Sequence, residues 1–166
     1  MYRARDSEVG IGNGRRAVRY RLKCATWYVV REEGQDSPRA LNDPAAAALL
    51  AMDLAKAEDD DKEHMWAILL NTQNRYLMHT AVSMGTQSGS LVHAREVFGP
   101  ALREGAASII LVHNHPSGDP TPSREDLRLT RQLAECARLL DMRLHDHIVI
   151  GNGTWAWVSL AQRGAL

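Results

Sequence analysis

The run SIILVH at residues 108–113 is apolar between its opening serine and its final histidine, and a loop holding Pro116, Pro120 and Pro122 follows it directly. A run of this length, rich in isoleucine and valine, reads as a strand buried on both faces rather than one with a wet side. Such a strand belongs inside a sheet, so neighbouring elements must cover it. Strand and helix signals do alternate along the chain around it.

Val18, Tyr20, Leu22 and Cys24 alternate with Arg19, Arg21 and Lys23, which predicts a strand with one wet face running on into 27–30. Asp43 before Pro44 is an N-cap followed by a first-turn proline, and 44–57 is predicted helical, ending in the acidic cluster 58–61. Strands are predicted at 65–70 and 76–82, joined by Asn71-Thr72-Gln73-Asn74. A helix over about 93–104 is stopped by Gly105. Beyond the loop 114–122, Ser123 caps a helix with the apolar stripe Leu127, Thr130, Leu133, Ala134, Ala137 and Leu140. Strands at 144–150 and 155–159, joined by Gly151-Asn152-Gly153, are predicted to form a closing hairpin.

The 166 residues suit one domain, expected at 17–166, behind a flexible basic arm at 1–16 that has little to bury. Twenty Lys and Arg balance twenty Asp and Glu, so no protein-wide basic field attracts nucleic acid or an anionic membrane. The distribution is uneven, however. Residues 1–31 carry eight Lys and Arg against two acids, and 32–63 carry three against ten, so any nucleic-acid contact is expected to be local to the N-terminal segment. No apolar run is long enough for a bilayer and the opening residues do not read as an export segment, so no membrane association and a cytoplasmic location are expected. Cys24 and Cys136 match no paired metal spacing, which fits a reducing compartment.

Chemistry-bearing residues concentrate in HNHPSGDPTPSRED, residues 113–126. Side chains at i and i+2 of an extended segment project to one side, so His113 and His115 can offer imidazoles to one point. The loop delivers Asp126 in the first turn of the next helix, where a carboxylate can complete a three-ligand site. Two histidines and a carboxylate with a fourth position left to water is the composition of a catalytic zinc centre, since structural sites are closed by four protein ligands. Each piece also has a plainer reading. Histidines near a strand end are often loop hydrogen-bonders, and Ser123 with Asp126 is an S-x-x-D cap that needs no metal.

His-x-His, ten residues, then Asp, with Ser three before the Asp and Pro after the second His, resembles the JAMM motif of the JAB/MPN+ metalloprotease superfamily. The wording HNHPSGDPTPSREDLRLT, with LVHAREVFGPAL before it and DHIVIGNG after it, is similar to the RadC-like branch over about 63–159. The resemblance implies an α/β fold of the JAB/MPN-like, cytidine-deaminase-like kind, a mixed, curved β-sheet sandwiched by helices. It implies one Zn²⁺ per chain on His113, His115 and Asp126. By the match to EHMWAILLN it implies Glu63 as general acid/base, although five acids within 58–63 also read as a solvated face. Ser123 is implied as the donor to a developing oxyanion, a role in competition with capping its helix.

The leading expectation is therefore a zinc metallopeptidase or isopeptidase acting on a peptide or isopeptide-linked protein. A nucleic-acid-associated protein is the second, from the basic N-terminal segment and the association of RadC-like proteins with DNA repair. The separate helical domain with helix-hairpin-helix character that longer members carry is not visible in this sequence. A zinc-stabilised interaction module without catalysis is the third. His145, Asp146 and His147 are expected to support the site or the core by hydrogen bonding rather than to bind metal. His93 opens a helix, with a near-site role left open.

Overall fold

The structure, a computed structural model, describes residues 40–56, 61–84 and 92–166. The arm at 1–16 and the basic strand at 18–30 lie outside the described residues, as do 57–60 with three of the clustered acids. The elements in chain order are α1 (Pro44–Lys56), β1 (His64–Leu70), β2 (Tyr76–Met84), α2 (Ala94–Arg103), β3 (Ser108–His115), α3 (Arg124–Leu139), β4 (Arg143–Gly151) and β5 (Trp157–Ser159).

The five strands form one open mixed sheet in the order β2-β1-β3-β4-β5. β3 runs parallel to β4 and antiparallel to β1, and the β1–β2 and β4–β5 pairs are antiparallel. The interior position of β3 is what its apolar run demanded. β1 is likewise buried along its whole length, because helices cover both faces of the sheet.

Alternation along the strands divides the core into two layers. Trp66, Ile68, Leu70, Ile110, Val112, Ile148 and Ile150 face α1, whose buried side is almost entirely alanine. A helix with so little side-chain volume leaves the filling of that layer to the large residues of the strands. Ala67, Leu69, Ile109, Leu111 and Leu144 face the other way, against Val97 and Phe98 of α2 and Leu133 and Ala137 of α3. His113 and His115 have the same parity as Ile109 and Leu111, which places them on the α3 side.

Four details differ from the sequence reading. β3 continues two residues past 113 to His115, because Asn114 and His115 keep their pairing with Ile150 and Gly151 of β4. The last strand begins at Trp157 rather than 155, since Trp155 takes a φ of 56° in the turn. Leu140 is exposed rather than part of the α3 stripe; it is the C-cap, past the end of the buried helix face, and Leu129 packs on the core instead. Finally, His145 is the extra residue of a β-bulge, so it does not share a face with His147 as simple alternation implies. The bulge turns His147 toward α3.

Candidate metal centre

The antiparallel register that pairs Met65 with His113 lets β1 begin where β3 ends. Glu63, two residues before Met65, is thereby brought to the end of β3 beside His115, fifty-two positions away in sequence. The loop after β3 returns to α3, whose first turn brings Asp126 to the same place. One ligand atom from each of Glu63, His113, His115 and Asp126 lies within 4.8 Å of the others. The centre therefore sits at the carboxyl end of the parallel pair, where open α/β sheets form crevices.

His113 is fully buried and His115 partly so, while Glu63 is exposed at the mouth. His113 Nε2 is 2.9 Å from His115 Nε2 and 3.3 Å from Asp126 Oδ1, and His115 Nε2 is 3.6 Å from Asp126 Oδ2. These separations bracket the roughly 3.3 Å edge of a tetrahedron built on bonds of about 2.0–2.1 Å to zinc. Protonation points the same way. His115 Nδ1 lies 2.8 Å from the Asp119 carbonyl, which can only accept, so the proton sits on Nδ1 and the Nε2 lone pair faces the cluster. Lone pairs and a carboxylate converging on one point attract a cation. The carboxylate beside His115 raises its pKa above the ordinary 6.5 despite burial. Burial works to raise Asp126, yet His113, His115 and Ser123 outweigh it and hold the carboxyl well below the usual range. A proton or a metal ion is what such a cluster holds, and the donor set fits zinc.

The family model of the RadC-like JAB domain matches residues 41–165. The chain belongs to that family. A UPF0758 protein of Syntrophotalea carbinolica is 48% identical over 111 residues, covering 67% of this chain and 48% of the relative. One from Desulforamulus reducens is 50% identical over 108 residues, 65% of this chain and 47% of the relative. One from Clostridium acetobutylicum is 44% identical over 126 residues, 76% of this chain and 53% of the relative. The chain thus spans about half the length of the curated relatives it matches.

In this JAB domain the N-terminus of α3 is tightly built. Ser123 Oγ accepts the Asp126 N–H at 3.1 Å and donates its proton to Asp126 Oδ2 at 2.7 Å, and the Ser123 N–H donates to the same oxygen at 2.7 Å. The capping box and the metal-ligand candidate are one structure: the cap fixes the direction of the carboxylate. With its single proton on Asp126, the Ser123 hydroxyl has none free for an oxyanion in this arrangement.

Three residues that sequence reasoning passed over complete the centre. Asn114 accepts the His64 N–H and donates to the Lys62 carbonyl, gripping the backbone on both sides of Glu63. Thr130, read only as core, donates to the Asp126 carbonyl at 2.6 Å and contacts His147 Nδ1 at 2.6 Å. Its signal was a hydroxyl in an apolar stripe one turn after an acid. Gly151 admits the loop itself: a Cβ there would stand 2.1 Å from the Gly118 carbonyl, and the adjoining Asn152 N–H and Thr154 hydroxyl hold the His115 and Gly118 carbonyls.

Of the remaining candidates, His147 touches the centre, with its Nε2 2.8 Å from His113 Nδ1, and full burial pushes its pKa well below 6.5. Asp146 instead anchors β5, accepting from Ser159 Oγ and the Ala161 N–H. His93 is the N-cap residue of α2. No helix among the described residues is long and apolar enough to cross a membrane.

Proposed function

We propose that this JAB domain is a zinc-dependent hydrolase of the JAMM type, a metallopeptidase or isopeptidase whose substrate is a peptide or isopeptide-linked protein. The observation that carries the reading is the convergence of Glu63, His113, His115 and Asp126 on one point at the end of an interior strand. His113, His115 and Asp126 would hold one Zn²⁺ per chain; three ligands with a position to spare is the composition of a catalytic site. Bound there, the ion would supply Lewis acidity, polarising a carbonyl and bringing water's pKa toward about 7.

The chain's own groups divide the remaining work. The Glu63 carboxylate stands at the exposed mouth, held by its flanking backbone, where it takes the proton from the attacking water and returns it to the leaving amine. Ser123 holds the Asp126 carboxylate in aim; to serve the developing oxyanion its hydroxyl must first turn from Asp126 Oδ2. Buried His113, flanked by β1 and β4, closes the inner side of the site to water. The cytoplasm is the proposed compartment, on the absence of any paired cysteine spacing. A nucleic-acid partner would fall to the basic residues 1–31, outside the described residues.

Elemental analysis of the purified chain, with a panel of peptide- and isopeptide-linked fluorogenic substrates, tests the reading. One zinc per chain and chelator-sensitive cleavage are expected. Unchanged zinc in a His113→Ala, His115→Ala double variant would sink the metal assignment, and a zinc-loaded chain inert on every linkage would favour an interaction module.

A further inference from the structure

One hydroxyl and one imidazole behind the centre decide where one proton sits. The Asp126 carbonyl can only accept, so the single Thr130 hydroxyl proton is spent on it at 2.6 Å. The Thr130 oxygen, 2.6 Å from His147 Nδ1, must then accept, so Nδ1 carries a ring proton; with the ring fully buried and an imidazole rather than an anion against Nε2, a second ring proton has nothing to balance its charge, and Nε2 is left bare. Bare Nε2 lies 2.8 Å from His113 Nδ1, and the proton between them therefore belongs to His113. That leaves His113 Nε2 without a proton, facing His115 Nε2 and Asp126 Oδ1.

We propose that His147 is a positioning residue for the metal centre: by accepting the His113 Nδ1 proton it fixes the tautomer that turns a lone pair toward the ligand cluster, and through Thr130 it ties that choice to the helical turn carrying Asp126. The inference rests on reading the cluster as a metal site. It goes further in making two ligands from different elements depend on one hydrogen-bonded path, Asp126 carbonyl to Thr130 to His147 to His113. The β4 bulge at His145 belongs to this device, because it brings His147 to the α3 face. A histidine here is not demanded by packing alone; an apolar ring fills the same space without accepting a proton.

The test compares the full chain with His147→Phe, Thr130→Val and His147→Gln, all checked for folding by circular dichroism. Zinc affinity is read by competition with a chromophoric chelator, and the His113 tautomer by imidazole ¹⁵N spectra of the metal-free chain. His147→Phe is expected to bind zinc roughly ten- to a hundredfold more weakly, the usual cost of removing a ligand's hydrogen-bond partner. Thr130→Val is expected to weaken binding in the same direction and to broaden or shift the His113 ¹⁵N pattern, while His147→Gln, which can still accept and donate, recovers part of the loss. Wild-type affinity in folded His147→Phe would overturn the proposal. Should that variant not fold, unchanged zinc affinity and an unchanged His113 tautomer in Thr130→Val would overturn it instead. If the wild-type chain takes up no zinc, the metal reading fails by itself; the tautomer arm then decides this proposal, and a proton on His113 Nε2 overturns it.

Discussion

The Asn114 carboxamide oxygen accepts the backbone N–H of His64 at 2.7 Å, and its nitrogen donates to the Lys62 carbonyl at 2.9 Å. One side chain, lying between the two histidines of the motif, thus clasps the backbone immediately before and after Glu63. Replacing it by Leu leaves the buried His64 N–H without its partner, at a cost of about 1–3 kcal/mol. Asn114→Leu is expected to lower stability by that amount in urea denaturation, to keep zinc, and to reduce kcat more than KM for any substrate found. Equal losses of zinc and activity would show that Asn114 serves the ligands rather than Glu63.

Substitution of Glu63 tests whether catalysis and metal binding can be separated. Glu63→Gln keeps the shape of the side chain but cannot take a proton. Zinc content and melting temperature should stay near wild type, while turnover should fall at least about a hundredfold, the scale of lost general acid–base help. Full activity in this variant would assign the residue to the acidic surface and send the search for a base elsewhere.

At the start of α3, Ser123→Ala removes both the cap and the proton donated to Asp126 Oδ2. A stability loss of about 1 kcal/mol is expected from the cap. Zinc affinity should fall as well, since the carboxylate loses its orientation. A loss of activity with zinc affinity intact would instead reveal a hydroxyl working on the substrate.

Gly151 has no room for a methyl group, with the Gly118 carbonyl in its place. Gly151→Ala must push back the loop that carries His115 and Asp119, so destabilisation of about 1–3 kcal/mol, the range for overpacking, is expected together with weaker zinc binding. Wild-type melting and zinc titration curves would show that the loop yields freely and does not fix His115.

His79 supplies a pH dependence remote from the ligands. Burial lowers its pKa below 6.5, and its Nδ1 shares a 2.7 Å hydrogen bond with the Tyr76 hydroxyl. The unfolded chain therefore takes up the proton first on acidification. The stability owed to neutral His79 is complete above pH 6.5 and is lost as pH falls from there toward the lower native value. Unfolding free energy should decline as pH falls below 6.5, and His79→Phe should show a shallower decline. An unchanged slope would place the proton uptake on other groups.

The interior strand, the alternation of elements and the motif, and with the motif the family, could be read from the residues alone, because local chemistry governs each of these. A continuous apolar run can only be buried on both sides, and the spacing of His113, His115, Ser123 and Asp126 lies within one strand, loop and helix turn. Glu63 was legible only through the family resemblance, because nothing local distinguishes it from the acids preceding it. The antiparallel run of β1 beside β3, which brings Glu63 into the cluster with His115, is a tertiary outcome. Tertiary structure alone spent the Ser123 proton on Asp126, gave Asn114 its grip on β1 and, through one extra residue at His145, turned His147 toward His113. Those roles depend on contacts across the sheet and on a bulge that shifts alternation by one. Strand periodicity in a single sequence specifies neither the partner strand nor the register, so it cannot specify them.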